Sequence, residues 1–240
     1  MLFMPKAIIF DLDNTLYEYE PCHKYAIDAV ARHLKKKYKI SKITFNKTLK
    51  ISKKIVKNNL NNTASSHSRI LYFQKLSEII LKQTNIKLCV ELEDLYWSNF
   101  LKKAKLFDDL IVFLKLLKTK KIIIGIVTDL TTKIQFQKLI YFKIDNYFDF
   151  VVTSEESGYD KPRKTSFNLM LKKLNLPSKQ TWMIGDNAVS DMIGAEKVSI
   201  FKIQKKHRGV KIIQKGRGKP DLIFENYSQL INILKKELFF

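Results

Sequence analysis

Cysteine is nearly absent from this chain: two residues in 240, Cys22 and Cys89, far apart and in no Cys-x-x-Cys spacing. That excludes a disulfide scaffold and fits reduced thiols in a cytoplasmic protein. Arginine is also scarce. Only Arg32, Arg69, Arg163, Arg208 and Arg217 contribute to a net charge of +21, so lysine supplies almost all of the excess. Nucleic-acid readers more often use arginine forks with interleaved aromatics or a recognisable module. The charge is therefore read first as compositional, with polyanion attraction as the competing reading. No apolar run approaches the roughly 20 residues of a membrane helix. The opening Met1–Lys6 leads straight into a strand-like run and lacks a signal-peptide layout. There is no internal repeat and no low-complexity linker.

What is present is an alternation of short apolar runs and helical patterns. Strands are expected over 6–10, 121–127, 150–152, 182–184, 199–203 and 222–224, several apolar at consecutive positions as in parallel strands covered on both faces. Helical periodicity lies between them, over 109–118, 132–142, 166–174 and 227–238. The pattern predicts an α/β fold, a Rossmann-like parallel sheet with helices on both faces. From Glu20 to Lys105 no strand is evident. Ala26, Ile27, Val30 and Leu34 mark one helical face, and three further sets follow to Phe100, with a polar break over 58–68 expected as a loop. The expected organisation is a core of 1–16 and 106–240 with an all-α insertion over 17–105. The basic, glycine-containing stretch 205–219 is expected as a surface loop.

Ligands of an open α/β sheet bind beyond the carboxyl ends of its strands. The first strand runs into Asp11-Leu12-Asp13-Asn14-Thr15. Two carboxylates one residue apart are unfavourable unless a cation or a shared proton offsets them. They suit Mg²⁺ as hard oxygen ligands, and a carboxylate is also a candidate nucleophile; a plain surface turn is the alternative. The second strand ends at Thr128-Asp129, which either binds an anion or caps a helix. Lys161-Pro162 follows the third, with Pro162 expected to open the next helix and Lys161 uninformative alone among so many lysines. Gly185-Asp186-Asn187-Ala188-Val189-Ser190-Asp191 follows the fourth, adding two carboxylates.

These stretches together resemble the haloacid dehalogenase superfamily of phosphohydrolases: DLDNT (Asp11–Thr15), VTD (Val127–Asp129), KPRKTSF (Lys161–Phe167) and GDNAVSDMIGA (Gly185–Ala195). The resemblance implies Asp11 as nucleophile toward phosphorus, Asp13 as general acid and base, Thr128 as binder of the phosphoryl group, Lys161 as the cation that neutralises its charge, and Asp129 as a substrate-binding neighbour. It further implies Mg²⁺ on Asp11, Asp186 and the main-chain carbonyl of Asp13, with Asp191 as a ligand either directly or through water. The acid/base Asp13 favours phosphate chemistry over the family's dehalogenases, which attack carbon. Asp129 stands where many relatives carry Asn.

The helical stretch resembles the family's helical cap of the first type, which implies a small phosphorylated substrate such as a sugar phosphate, an acid-sugar phosphate or a nucleotide. Within it, Arg69 and His67 are candidates for binding a substrate carboxylate or second phosphate, with a helix cap by Ser66 or Ser68 as the alternative for that junction. Tyr17, Tyr19 and His23 are candidate entrance residues, or ordinary packing. The competing function is a nucleic-acid-associated end phosphatase or a basic binding protein. The oligomeric expectation is a monomer or homodimer.

Overall fold

The computed structural model describes residues 3–238. They divide into two compact units, one of residues Tyr19–Ala104, the other of the residues up to Glu18 and from Lys105 onward.

The first unit is all helical: α1 (Tyr19–Tyr38), α2 (Lys42–Asn59), α3 (Arg69–Leu81) and α4 (Ile86–Lys103). Small residues Ala26, Ala29 and Ala31 on the buried face of α1 admit the bulky Leu92, Tyr96, Trp97 and Phe100 of α4. Three starts are fixed by side-chain caps: Ser41, Ser68 and Asn85 accept from the main-chain N–H of Thr44, Leu71 and Leu88. Each such cap satisfies a donor that the helix itself cannot. The expected loop over 58–68 is partly ordered, with one tight helical turn at Ala64–His67. Cys22 and Cys89 are both buried, free thiols.

The second unit is a six-stranded parallel sheet: β1 (Ala7–Phe10), β2 (Ile123–Thr128), β3 (Phe150–Thr153), β4 (Thr181–Gly185), β5 (Phe201–Lys205) and β6 (Leu222–Phe224), in the order β3-β2-β1-β4-β5-β6. Its helices are α5 (Leu110–Thr119), α6 (Thr132–Tyr141), the single turn α7 (Ser154–Ser157), α8 (Lys164–Leu174), the short α9 (Gly194–Glu196) and α10 (Tyr227–Leu238). Burial alternates by face. Ala7 and Ile9 pack with Phe167, Met170 and Leu174 of α8. Phe10 points the other way, its ring 6.1 Å from Phe113 of α5, which in turn lies 5.5 Å from Tyr227 of α10. This is the α/β Rossmann-like core that the apolar runs announced.

Three local expectations change. The fifth strand starts two residues late, because Ser199 takes a left-handed φ of 59° and cannot extend the ladder. It then runs through Lys205, which is 2% exposed, so the first residue of the expected surface loop is a buried strand residue. Pro162 does not open a helix: α8 begins at Lys164 after Arg163, and Pro162 sits in the preceding turn.

β1 lies between β2 and β4, with Phe10 opposite both Ile126 and Ile184. The chain crosses from β1 to β2 on one side and returns to β4 on the other. The carboxyl ends of these strands therefore diverge at the switch point where α/β sheets hold ligands.

Candidate active site

Asp11 leaves the end of β1 with its main-chain N–H still donating to Ile184 O at 2.8 Å, so the sheet itself fixes where the carboxylate starts. Asn14 then takes φ 62°, a conformation asparagine tolerates better than most residues. The turn brings Thr15 back, and its hydroxyl donates to Asp11 Oδ2 at 3.1 Å.

Lys161 is the hub. Its ammonium donates to Asp11 Oδ1 at 2.6 Å, to Asp191 Oδ1 at 2.6 Å and to Val127 O at 3.1 Å, which uses all three of its protons. Although burial opposes its charge, the carboxylates of Asp11, Asp191 and Asp129 raise its pKa well above the usual lysine value. Its main-chain N–H donates to Asp129 Oδ1 at 2.9 Å. Asp129 thus holds the loop carrying Lys161. Burial raises the Asp129 carboxyl to about 6, and Lys161 opposes the rise.

The acidic residues converge from separate elements. Asp11, Asp186 and Asp191 each present a carboxylate oxygen within 4.8 Å of the others, and all three are buried. Burial raises Asp11 to about 7 although Lys161 pulls it down, and raises Asp186 to about 8, with Asp191 and Asp11 adding to the rise. One ammonium does not compensate three buried carboxylates, so a hard divalent cation fits this donor set. The Asp13 carboxylate stands outside that trio. Its Oδ1 accepts from Lys138 Nζ at 2.7 Å and from the hydroxyl of Tyr17. Any part Asp13 plays toward a metal falls to its carbonyl.

Asp191 is held from two sides. Asn187 N donates to its Oδ2 at 2.9 Å, while Asn187 Oδ1 caps the wide helical turn Ala188–Ile193. Gly185 provides the space, since a Cβ there would lie 2.5 Å from Asp191 Oδ2. Gly185→Ala is therefore expected to displace the Asp191 carboxylate and lower kcat by about tenfold or more while leaving a folded protein; a circular dichroism melt beside steady-state rates checks it.

Thr128 closes β2 with its hydroxyl accepting from Gln135 Nε2 at 2.6 Å. Sequence reading missed Gln135, Lys138 and His207. Gln135 and Lys138 are three apart, on the buried side of α6, and neither is solvent-accessible. Nothing in the α6 sequence pattern marked either of them. His207 lies in the stretch expected as loop, its Nε2 3.0 Å from Asp186 Oδ2, and nothing in its local sequence marked it. Arg69 and His67 belong to the helical unit. There Arg69 donates to the His67 carbonyl and the Tyr19 hydroxyl.

The chain matches a family model described as haloacid dehalogenase-like hydrolase over residues 8–204. It is 35% identical over 198 residues, 82% of this chain and 83% of the other, to a ribulose-1,5-bisphosphate 5-phosphatase of Halopiger xanaduensis. A glyceraldehyde 3-phosphate phosphatase of Methanocaldococcus jannaschii is 27% identical, with 97% of this chain and 98% of the other covered. Among solved structures, an HAD phosphatase from Thermococcus onnurineus superposes with a TM-score of 0.72 at 22% identity, covering 95% of this chain and 97% of the other. A 2-haloacid dehalogenase from Pseudomonas syringae superposes with a TM-score of 0.73 at 21% identity, covering 97% and 99%. Such low identities speak to the fold alone.

Proposed function

The chain belongs to the haloacid dehalogenase-like hydrolases and is a phosphatase among them; we propose that it hydrolyses a small phosphorylated sugar, with Mg²⁺, through an acyl phosphate formed on Asp11. The observation that carries this is the Lys161 ammonium held between Asp11 and Asp191. A carboxylate kept beside a fixed cation at the end of the central strand suits attack on a phosphorus whose oxygens carry dispersed negative charge. The two relatives named above act on sugar phosphates by their names, which favours a sugar phosphate over the acid-sugar phosphates and nucleotides also open to the sequence.

In this mechanism an Asp11 oxygen attacks phosphorus as the bond to the ester oxygen breaks. Asp13 gives its proton to the departing alcohol. Water then attacks the aspartyl-phosphate, Asp13 takes the proton, and inorganic phosphate leaves. Lys138 and Tyr17 orient the Asp13 carboxyl for both transfers. Lys161 and Thr128 hold the phosphoryl oxygens. Asp11, Asp186 and Asp191 would hold Mg²⁺, with the Asp13 carbonyl, and its charge offsets that of the phosphoryl group. The helical unit is proposed as a cap that governs access. No helix among the described residues is long and apolar enough to cross a membrane.

The test is a panel of sugar phosphates, nucleotides and aryl phosphate, each with Mg²⁺ and with EDTA. Absence of Mg²⁺-dependent phosphate release from every ester would overturn the reading. Cation binding has a separate signature. At 100-fold excess over its Kd, Mg²⁺ stabilises by about 2.7 kcal/mol, a Tm rise of roughly 5–10 °C for a protein of this size. Asp11 and Asp186 take protons below about 7 and 8, so the cation competes with protons there. The rise is expected to be full above about pH 8 and to shrink toward pH 5; differential scanning fluorimetry at several pH values checks it.

A further inference from the structure

The helical unit buries a cation without a counter-ion. Arg69 is 8% exposed, and its hydrogen bonds among the described residues go to a carbonyl and two tyrosine hydroxyls, none to a carboxylate. Its guanidinium is enclosed by aromatic rings, with Cζ 5.3 Å from the Tyr96 centroid, 5.2 Å from Trp97 and 5.8 Å from Tyr72. Its Nη atoms find only neutral acceptors, and its buried Nε–H has no acceptor at all. A buried charge normally comes with an opposite one, and a buried donor with a partner.

A second cation adds to the imbalance. Lys53, half-buried on α2, lies with Nζ 3.3 Å from Nε2 of His23, whose Nδ1 is 2.6 Å from the Tyr96 hydroxyl. An ammonium donating to Nε2 requires the lone pair there, which leaves the proton on Nδ1 and the ring neutral. Burial, Lys53 and Arg69 together push His23 down to about 3. Lys53 is itself pushed down to about 8 by burial, then by Arg69 and Lys57, with exposed Glu20 the weakest influence on it. One of its three N–H groups is spent on His23. The cluster therefore offers two positive charges, the free protons of Lys53 and the Nε–H of Arg69, with no buried carboxylate to match them. A singly charged carboxylate would leave one positive charge over; a phosphate dianion balances both.

We propose that Lys53, His23 and Arg69 form a binding site for a phosphate dianion on the helical unit and, resting on the phosphatase reading above, that the substrate is a sugar bearing a second phosphate. Lys53 meets the anion with its free protons, His23 positions Lys53 by accepting one of its N–H groups, and Arg69 supplies charge from behind them through the aromatic shell.

The imidazole of His23 reports binding without turnover. Full-length protein carrying ¹⁵N-histidine, treated with EDTA, is titrated with inorganic phosphate at constant ionic strength. The ring nitrogens are followed by NMR and assigned with His23→Gln. The expected result is a saturable shift at Nε2, absent with matched chloride. Lys53→Met, at a half-buried surface position, is expected to weaken it by about tenfold or more. In steady-state assays Lys53→Met should raise KM about tenfold more for a sugar bisphosphate than for the corresponding monophosphate. No saturable shift, or a Lys53→Met titration that matches the parent, overturns the site. A parent-like KM ratio overturns the substrate class. Saturable binding with no ester hydrolysed leaves the site standing and removes the phosphatase reading; hydrolysis without the His23 shift does the reverse.

Discussion

Asp11→Asn is expected to lower kcat by at least about 10⁴-fold, by comparison with nucleophile removal in other hydrolases, and to do so without unfolding the protein. The amide has nearly the shape of the carboxylate: its oxygen can still accept from Lys161, and its NH2 faces the Thr15 hydroxyl, which can turn to accept from it. It cannot form the acyl phosphate, and it offers the cation one charge fewer. Stability should hold or rise, and the sign follows from the titration. The folded protein raises Asp11 from 3.8 to about 7, so folding favours its protonated form. Ionised Asp11 therefore costs stability increasingly as pH climbs from about 4 through 7. A neutral amide removes that cost at pH 8. The measurement pairs phosphate release with a melt in EDTA. A folded variant retaining more than about a thousandth of parental activity would take the nucleophile role away from Asp11.

How much of this was legible in the sequence depends on how local each signal is. The strands showed because parallel strands covered on both faces are apolar at successive positions, as in Ala7-Ile8-Ile9-Phe10. Asp11, Asp186 and Asp191 showed because each follows such a run, and strand ends of a parallel sheet share one edge. Lys161 was visible only in company: one lysine among dozens carries no information until the topology places it beside Asp11. Lys138 stayed hidden because its partner is 125 residues away, and nothing in the α6 pattern reveals that its apolar face carries a buried ammonium. Lys53 and His23 stayed apart for a similar reason. They sit on different helices 30 residues apart, and their significance lies in a charge that no neighbour balances, a property of the packed unit.

Lys161→Met is expected to damage folding and catalysis together, and the pattern of rescue separates the two. The methionine fills the volume but leaves Asp11 Oδ1, Asp191 Oδ1 and Val127 O without their shared donor. Removing one partner of a buried ion pair typically costs about 3–5 kcal/mol, because the other charge remains buried and uncompensated. Those charges can be quenched in two ways. Protonation is one: near pH 5 Asp11 is largely neutral, so urea unfolding should show a smaller loss there than at pH 8. A divalent cation is the other. If Asp11, Asp186 and Asp191 hold Mg²⁺ as proposed, adding it at pH 8 should recover a substantial part of the lost stability. Activity should not follow. If the ammonium turns one of its protons to the phosphoryl oxygens when substrate binds, as proposed, its loss removes a preorganised donor, which typically costs about 10²–10³-fold in kcat. Lys161→Arg is no remedy, since a planar fork cannot place three protons on acceptors in three directions. Stability recovered by Mg²⁺ with catalysis still absent is the signature of a lysine that both balances the aspartates and binds the transferring group. Full recovery of both would reduce it to a counter-ion.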